Sequence, residues 1–153
     1  TLHTNDAPSA VTRMTDIGVP GYLVASSVIA VLAQRLVRVI CPKCKAPHTP
    51  RETELREAGI TPEMAANAEF AKGKGCPNCQ KSGFRGRIGV YELMLMTSRI
   101  RDKAFEGASA QDIRKAAIKD GMHTLYQDGI DKVLRGITVL SEVYRVAKKT
   151  EQD

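Results

Sequence analysis

The chain has 153 residues, 42% apolar but only 5% aromatic, with no tryptophan and a formal net charge of +6. Its longest apolar stretch, Gly21 to Leu32, is broken by Ser26 and Ser27, which excludes a membrane-spanning helix of the usual 18 residues or more. The positive balance points to an acidic partner (nucleic acid, anionic lipid or nucleotide phosphate) or simply to a lysine-rich solvated surface. A chain of this length holds one compact domain or a few small modules, and one with so thin a core gains most from a metal staple.

The first residues, Thr1-Leu2-His3-Thr4-Asn5-Asp6-Ala7, lack a methionine, as if cut from something longer. Val11, Met14 and Ile17 then recur at helical spacing, with Asn5 or Asp6 to cap, Pro8 in the first turn and Gly18 to close. A second helix is expected after Pro20, carrying a broad stripe from Leu23 and Val24 through Val28 to Val31 and Leu32. Gln34 to Ile40 is rich in β-branched residues and is expected to be a strand that feeds Cys41.

All four cysteines lie in two CPxC knuckles, Cys41-Pro42-Lys43-Cys44 and Cys76-Pro77-Asn78-Cys79, separated by a loop of 31 residues. The i,i+3 spacing lets one tight turn aim two thiolates at one ion, and a second knuckle completes a tetrahedral shell. Proline after the first cysteine fixes φ and pre-shapes the turn. Four soft thiolates in a closed shell favour a structural zinc on Cys41, Cys44, Cys76 and Cys79, ahead of a rubredoxin-like iron or of disulfides. Disulfides rank low because a two-residue gap makes strained bridges and no secretory signal precedes them; with reduced thiols, the cytoplasm is the expected compartment.

Within the loop, Thr49-Pro50-Arg51-Glu52 resembles a capping box for a short helix ending at Gly59, and Thr61-Pro62-Glu63 starts another. Lys72-Gly73-Lys74-Gly75 turns the chain into the second knuckle, after which Gly83 to Leu93 gives a glycine turn and a strand. The remainder is expected to be helical. Ser109–Asp112 and Thr124–Gln127 supply capping boxes, Thr138 is expected to cap a last helix, and Gly107, Gly121 and Gly136 to stop the helices before them. Ile113, Ala116 and Ala117, then Ile130, Val133 and Leu134, then Leu140, Val143 and Tyr144 form the expected buried stripes.

No GxxxxGK[ST] phosphate cradle occurs, and Gly83, Gly86 and Gly89 lead into no helix. No Ser/His/Asp order or carboxylate pair stands out. His48 and His123 read as solvated or packing residues, and spacing by itself gives His3 no catalytic role.

Thr1 to Ala7, however, resembles the histidine box of the ATPases that drive type II secretion and type IV pilus assembly. Ala33-Gln34-Arg35-Leu36-Val37-Arg38 running into the first knuckle resembles the same family. So do Gly83-Phe84-Arg85-Gly86-Arg87-Ile88-Gly89-Val90-Tyr91-Glu92-Leu93, and Asp128-Gly129, Gly136-Ile137-Thr138 and Glu142-Val143, all in the family's order. The resemblance implies an α+β chain: the end of a RecA-like core over 1–40, a tetracysteine zinc module over 41–96 and a helical subdomain over 97–153. The cysteines place it with the secretion and pilus-extension branch. The Walker A and Walker B segments, with ATP and Mg2+, would belong to the full-length parent, and these residues alone are expected not to hydrolyse ATP.

By the same resemblance, the parent is a ring of six subunits on the cytoplasmic face of the inner membrane, acting on a membrane-embedded platform protein. His3 matches the histidine that senses the terminal phosphate, and Arg35 and Arg38 would reach nucleotide or a carboxylate across the subunit boundary. Lys43, Lys45, Lys72, Lys74, Lys81, Arg85 and Arg87 flank the knuckles and would face the platform protein or anionic lipid. The rival class is a zinc ribbon that binds nucleic acid. It is disfavoured because, beyond Phe84 and Tyr91, the sequence offers no exposed aromatic set near the knuckles for base stacking.

Overall fold

Asp6 starts the first helix. In extended conformation, its carboxylate accepts the Ser9 N–H at 2.8 Å, and Pro8 sits in the first turn of α1 (Ala7–Asp16). These are features of a computed structural model that describes residues 2 and 4–150. The expected stripe is half kept: Val11 is buried, whereas Ile17 is the helix C-cap and is 59% exposed.

The second helix is shorter than expected. α2 covers only Gly21–Ser27, and β1 already begins at Ala30 and runs to Ile40. Two serines followed by Val28, Ile29 and Val31 favour extended backbone, so the apolar residues read as a helical stripe alternate along a strand instead, with Leu32 59% exposed. β2 (Lys45–Pro47) and β3 (Ala71–Gly73) are short antiparallel partners with Ala46 opposite Lys72. Between them lie α3 (Glu52–Ala58) and α4 (Pro62–Ala66). Thr61 caps α4 as expected, accepting the Met64 N–H. Thr49 does not cap α3. The N-cap is Arg51, whose own N–H is taken by the Glu54 carboxylate at 2.8 Å.

β4 (Phe84–Leu95) pairs with β1 in a two-stranded sheet. Four helices follow: α5 (Ser98–Phe105), α6 (Ala110–Lys119), α7 (Leu125–Leu134) and α8 (Leu140–Val146). Gly107, Gly121 and Gly136 end their helices at φ of +68°, +93° and +62°. Thr138 is not the cap of α8. That place belongs to Val139, while the Thr138 hydroxyl donates to the Arg38 carbonyl at 2.8 Å. In α8 the buried positions are Glu142 and Val143, and Tyr144 is 44% exposed. The mixture of helices and short strands is α+β, and among the described residues no helix is long and apolar enough to cross a membrane.

The chain forms two compact units, each discontinuous in sequence. One joins residues 4–34 with Tyr91–Leu125, around Val11, Val24, Met94, Ile100, Ile113 and Ala117. In this unit Glu92 is buried. Its carboxylate accepts the N–H of Ala7 (2.8 Å) and of Leu125 (3.2 Å), the first residues of two helices, with Arg114 at 3.7 Å. Two positive helix ends thus converge on one carboxylate. Arg114 also pairs with the capping Asp6 at 2.6 Å. The other unit joins Arg35–Val90 with residues 126–150, and has Val37, Ile40, Val90, Ile130, Val133 and Val143 in its core. Here the Tyr126 hydroxyl donates to Ala58 O at 3.0 Å, and Arg38 pairs with Glu142.

Candidate metal centre

β1 delivers the first knuckle. As the strand ends, the Cys41 N–H donates to Gly83 O at 2.9 Å, and the turn closes with Cys44 N–H on Cys41 O at 3.2 Å. The β2–β3 pair then brings the far end of the loop back alongside, and Lys74 N–H continues the ladder onto Cys44 O at 3.0 Å. A single 3-10 turn, Pro77–Cys79, forms the second knuckle; Lys81 N–H returns to Cys76 O at 2.9 Å with Gln80 and Lys81 in the left-handed region (φ +51° and +62°). Gly73 and Gly83 meet backbone to backbone here. A Cβ on Gly73 would lie 2.0 Å from Gly83 O, so only glycine fits.

These contacts gather four sulfurs, all within 4.8 Å of one another. Three of the separations are 3.9 Å (Cys41–Cys76), 3.8 Å (Cys44–Cys79) and 3.7 Å (Cys76–Cys79). A tetrahedron with arms of about 2.3 Å, the zinc–thiolate length, has edges of about 3.8 Å. The thiols are spaced as ligands and not as disulfides, whose sulfurs lie about 2 Å apart. Among the described residues no other group of three or more His, Cys, Asp or Glu is so placed.

Electrostatics divide the thiols. Burial raises Cys79, but the N–H groups of Cys76 (3.2 Å) and Gly83 (3.3 Å) donate to its sulfur and, with the neighbouring thiols, hold it down at about 6. Burial also raises Cys41, and there donors led by the Asn78 amide reverse the effect. Cys44 is pushed up to about 12, first by burial and then by the surrounding thiols, although the Gly75 N–H opposes this. The pattern is that of sulfurs competing for protons, which a divalent cation would displace.

The remaining expected site residues are distributed as follows. Arg35 is half-buried on β1. Arg38 gives its backbone N–H (2.9 Å) and guanidinium (2.7 Å) to the buried Glu142 and lies 4.3 Å above the Phe84 ring. Glu142 also receives Arg145 at 2.9 Å. Burial would raise this carboxyl, but the Arg38 and Arg145 donors lower it to about 2. His3 lies outside the described residues. Lys43, Lys45, Lys72, Lys74, Lys81, Arg85 and Arg87 are all exposed, as are His48 and His123. Sequence reasoning missed Glu92 and Glu142 as buried acids. The signal was there in the register of Val90-Tyr91-Glu92-Leu93-Met94-Leu95-Met96, which places Glu92 on the buried side of a period-two pattern.

A four-thiol clip closed by two short antiparallel strands, within an α+β chain, defines a protein with a metal-competent structural module. The model of the Type II/IV secretion system protein family matches residues 1–145, so the chain belongs to that family. It is 43% identical over 149 residues to the type II secretion system protein E of Aeromonas hydrophila, an alignment covering 97% of this chain and 29% of that protein. It is 41% identical over 143 residues to the type IV pilus assembly ATPase PilB of Thermus thermophilus (94% and 16%). Against the type II secretion system protein E of Pseudomonas aeruginosa the figures are 41% over 149 residues (97% and 29%). The chain thus spans less than a third of the length of these relatives.

Proposed function

We propose that this chain is the carboxy-terminal part of an ATPase motor that powers type II protein secretion or type IV pilus assembly. The observation that carries the proposal is the family match across 1–145, with relatives named for both systems. In the parent, six subunits form a ring at the cytoplasmic face of the inner membrane, and a core elsewhere in the chain binds ATP and Mg2+. His3 contacts the terminal phosphate of the nucleotide. Arg35 and Arg38 serve the nucleotide or a neighbouring subunit; Arg38 remains 48% exposed with Glu142 bound, which leaves room for a second acidic partner.

Cys41, Cys44, Cys76 and Cys79 hold one structural zinc, and the sulfur spacing supports this. Held by these four thiolates, a zinc ion would supply folding free energy and not a substrate site. The exposed lysines and arginines around the knuckles meet the platform protein or anionic headgroups, an attraction that fades as salt shortens the Debye length. The test is steady-state ATP hydrolysis by the full-length protein carrying His3→Ala. Turnover should fall while circular dichroism and melting stay as in the wild type. Unchanged turnover refutes the role of His3, and a full-length protein without ATPase activity refutes the motor.

A further inference from the structure

We propose that Asn78 and Arg85 are an outer support of the metal centre: Arg85 orients the Asn78 amide so that its N–H donates to the Cys41 sulfur, which tightens metal binding. The inference rests on the metal-binding role of the four cysteines. Asn78 sits inside the second knuckle, between Cys76 and Cys79, and its Nδ2 lies 3.5 Å from the Cys41 sulfur of the first. Arg85, just beyond the glycine that accepts the Cys41 N–H, turns back and donates Nη1 to the Asn78 backbone oxygen at 2.7 Å and to its Oδ1.

An asparagine amide has one accepting end and one donating end, whereas a guanidinium only donates. Arg85 can therefore bind only the oxygen end of Asn78, which commits the nitrogen end to the sulfur. Four thiolates around a divalent cation leave a net charge of −2, and an N–H donated to one sulfur draws off part of it. Cys79 already has backbone donors from Cys76 and Gly83, and on Cys41 a side chain fills the same role. Arg85 is exposed, so truncating it opens no hole in the core and its effect on the centre is separable from packing.

The experiment uses the whole 153-residue chain, loaded with zinc for chelator competition and with cobalt for the thiolate-to-metal absorption bands. Outer-shell changes cost about 10- to 100-fold in metal affinity. Asn78→Ala is expected to weaken zinc within that range. Asn78→Asp, which lacks the N–H and adds a negative charge, should weaken it further. Arg85→Ala should fall between Asn78→Ala and wild type, and Arg85→Lys should recover part of the loss. In Asn78→Ala the cobalt bands should move to lower energy, because the sulfur lone pair has lost its hydrogen bond; a purely structural role would not move them. If either the loss of affinity or the band movement is missing in Asn78→Ala, the proposal is overturned. Failure of the wild-type chain to take up one equivalent of either metal overturns instead the metal-binding role on which it rests.

Discussion

Replacing Glu142 with glutamine should destabilise the unit that holds it. The side chain is 2% exposed and accepts the Arg38 N–H and guanidinium and the Arg145 guanidinium. A carboxyl held at about 2 instead of its ordinary 4.5 corresponds to about 3 kcal/mol of folding free energy at neutral pH. The partner side chains are 48% and 53% exposed, so water screens the pair and roughly 1–2 kcal/mol remains. At about 2–4 °C per kcal/mol for a chain of this size, Glu142→Gln should melt about 2–8 °C below wild type at pH 7. The sign with pH follows from the lowered value. The contribution is whole above the unfolded value of 4.5 and is lost as pH falls toward about 2, so the gap between the two proteins should narrow by pH 3. Melting curves of both at pH 3, 4, 5 and 7 make the comparison. Equal melting at pH 7, or a gap that stays constant down to pH 3, would refute the reasoning.

Chelation or Cys76→Ser should unfold the knuckle region, since a structural zinc supplies on the order of 10 kcal/mol; elemental analysis finding no zinc in protein purified without chelator would contradict this. Gly73→Ala drives a Cβ to 2.0 Å from Gly83 O and should weaken both metal affinity and melting, as read by chelator competition and calorimetry. Glu92, buried, titrates above its ordinary value, so its ionised form costs stability as pH rises from 4.5. Glu92→Gln relieves that cost but turns one of the two accepting oxygens into an NH2 donor, so it keeps an acceptor for only one of the Ala7 and Leu125 N–H groups and should destabilise at pH 7, though less than Glu92→Ala. Glu92→Ala leaves both orphaned and should lose about 1–3 kcal/mol in urea unfolding.

Local chemistry was legible in the sequence where a side chain acts on its own backbone. Asp6, Thr61 and Ser109 cap the helices that their positions announce. The knuckles were legible because i,i+3 thiols carry their geometry with them. Long-range demands were not. Thr138 gives up its cap to satisfy the Arg38 carbonyl, a partner 100 residues away. β2 and β3 have three residues each, too few for any periodicity, and their pairing joins residues far apart in sequence, Ala46 opposite Lys72. Glu142 lies between Leu140 and Val143 in a helix whose stripe was assigned to apolar residues; the acid is buried because two arginines wait for it.

Arg38 and Glu142 stand 104 residues apart, a separation that is also an interval of time. Synthesis runs from the amino terminus, so all four thiols of the cluster exist once Cys79 has been made, while the acid that neutralises Arg38 is still unwritten. Contacts this distant in sequence form late in folding. A nascent chain paused after α6 has complete knuckles but lacks Ile130, Val133 and Val143, which finish the core around Val37 and Ile40. At that stage the apolar faces of Val37 and Ile40 have not yet met their later partners, and a chaperone or a protease at the ribosome exit would meet them uncovered.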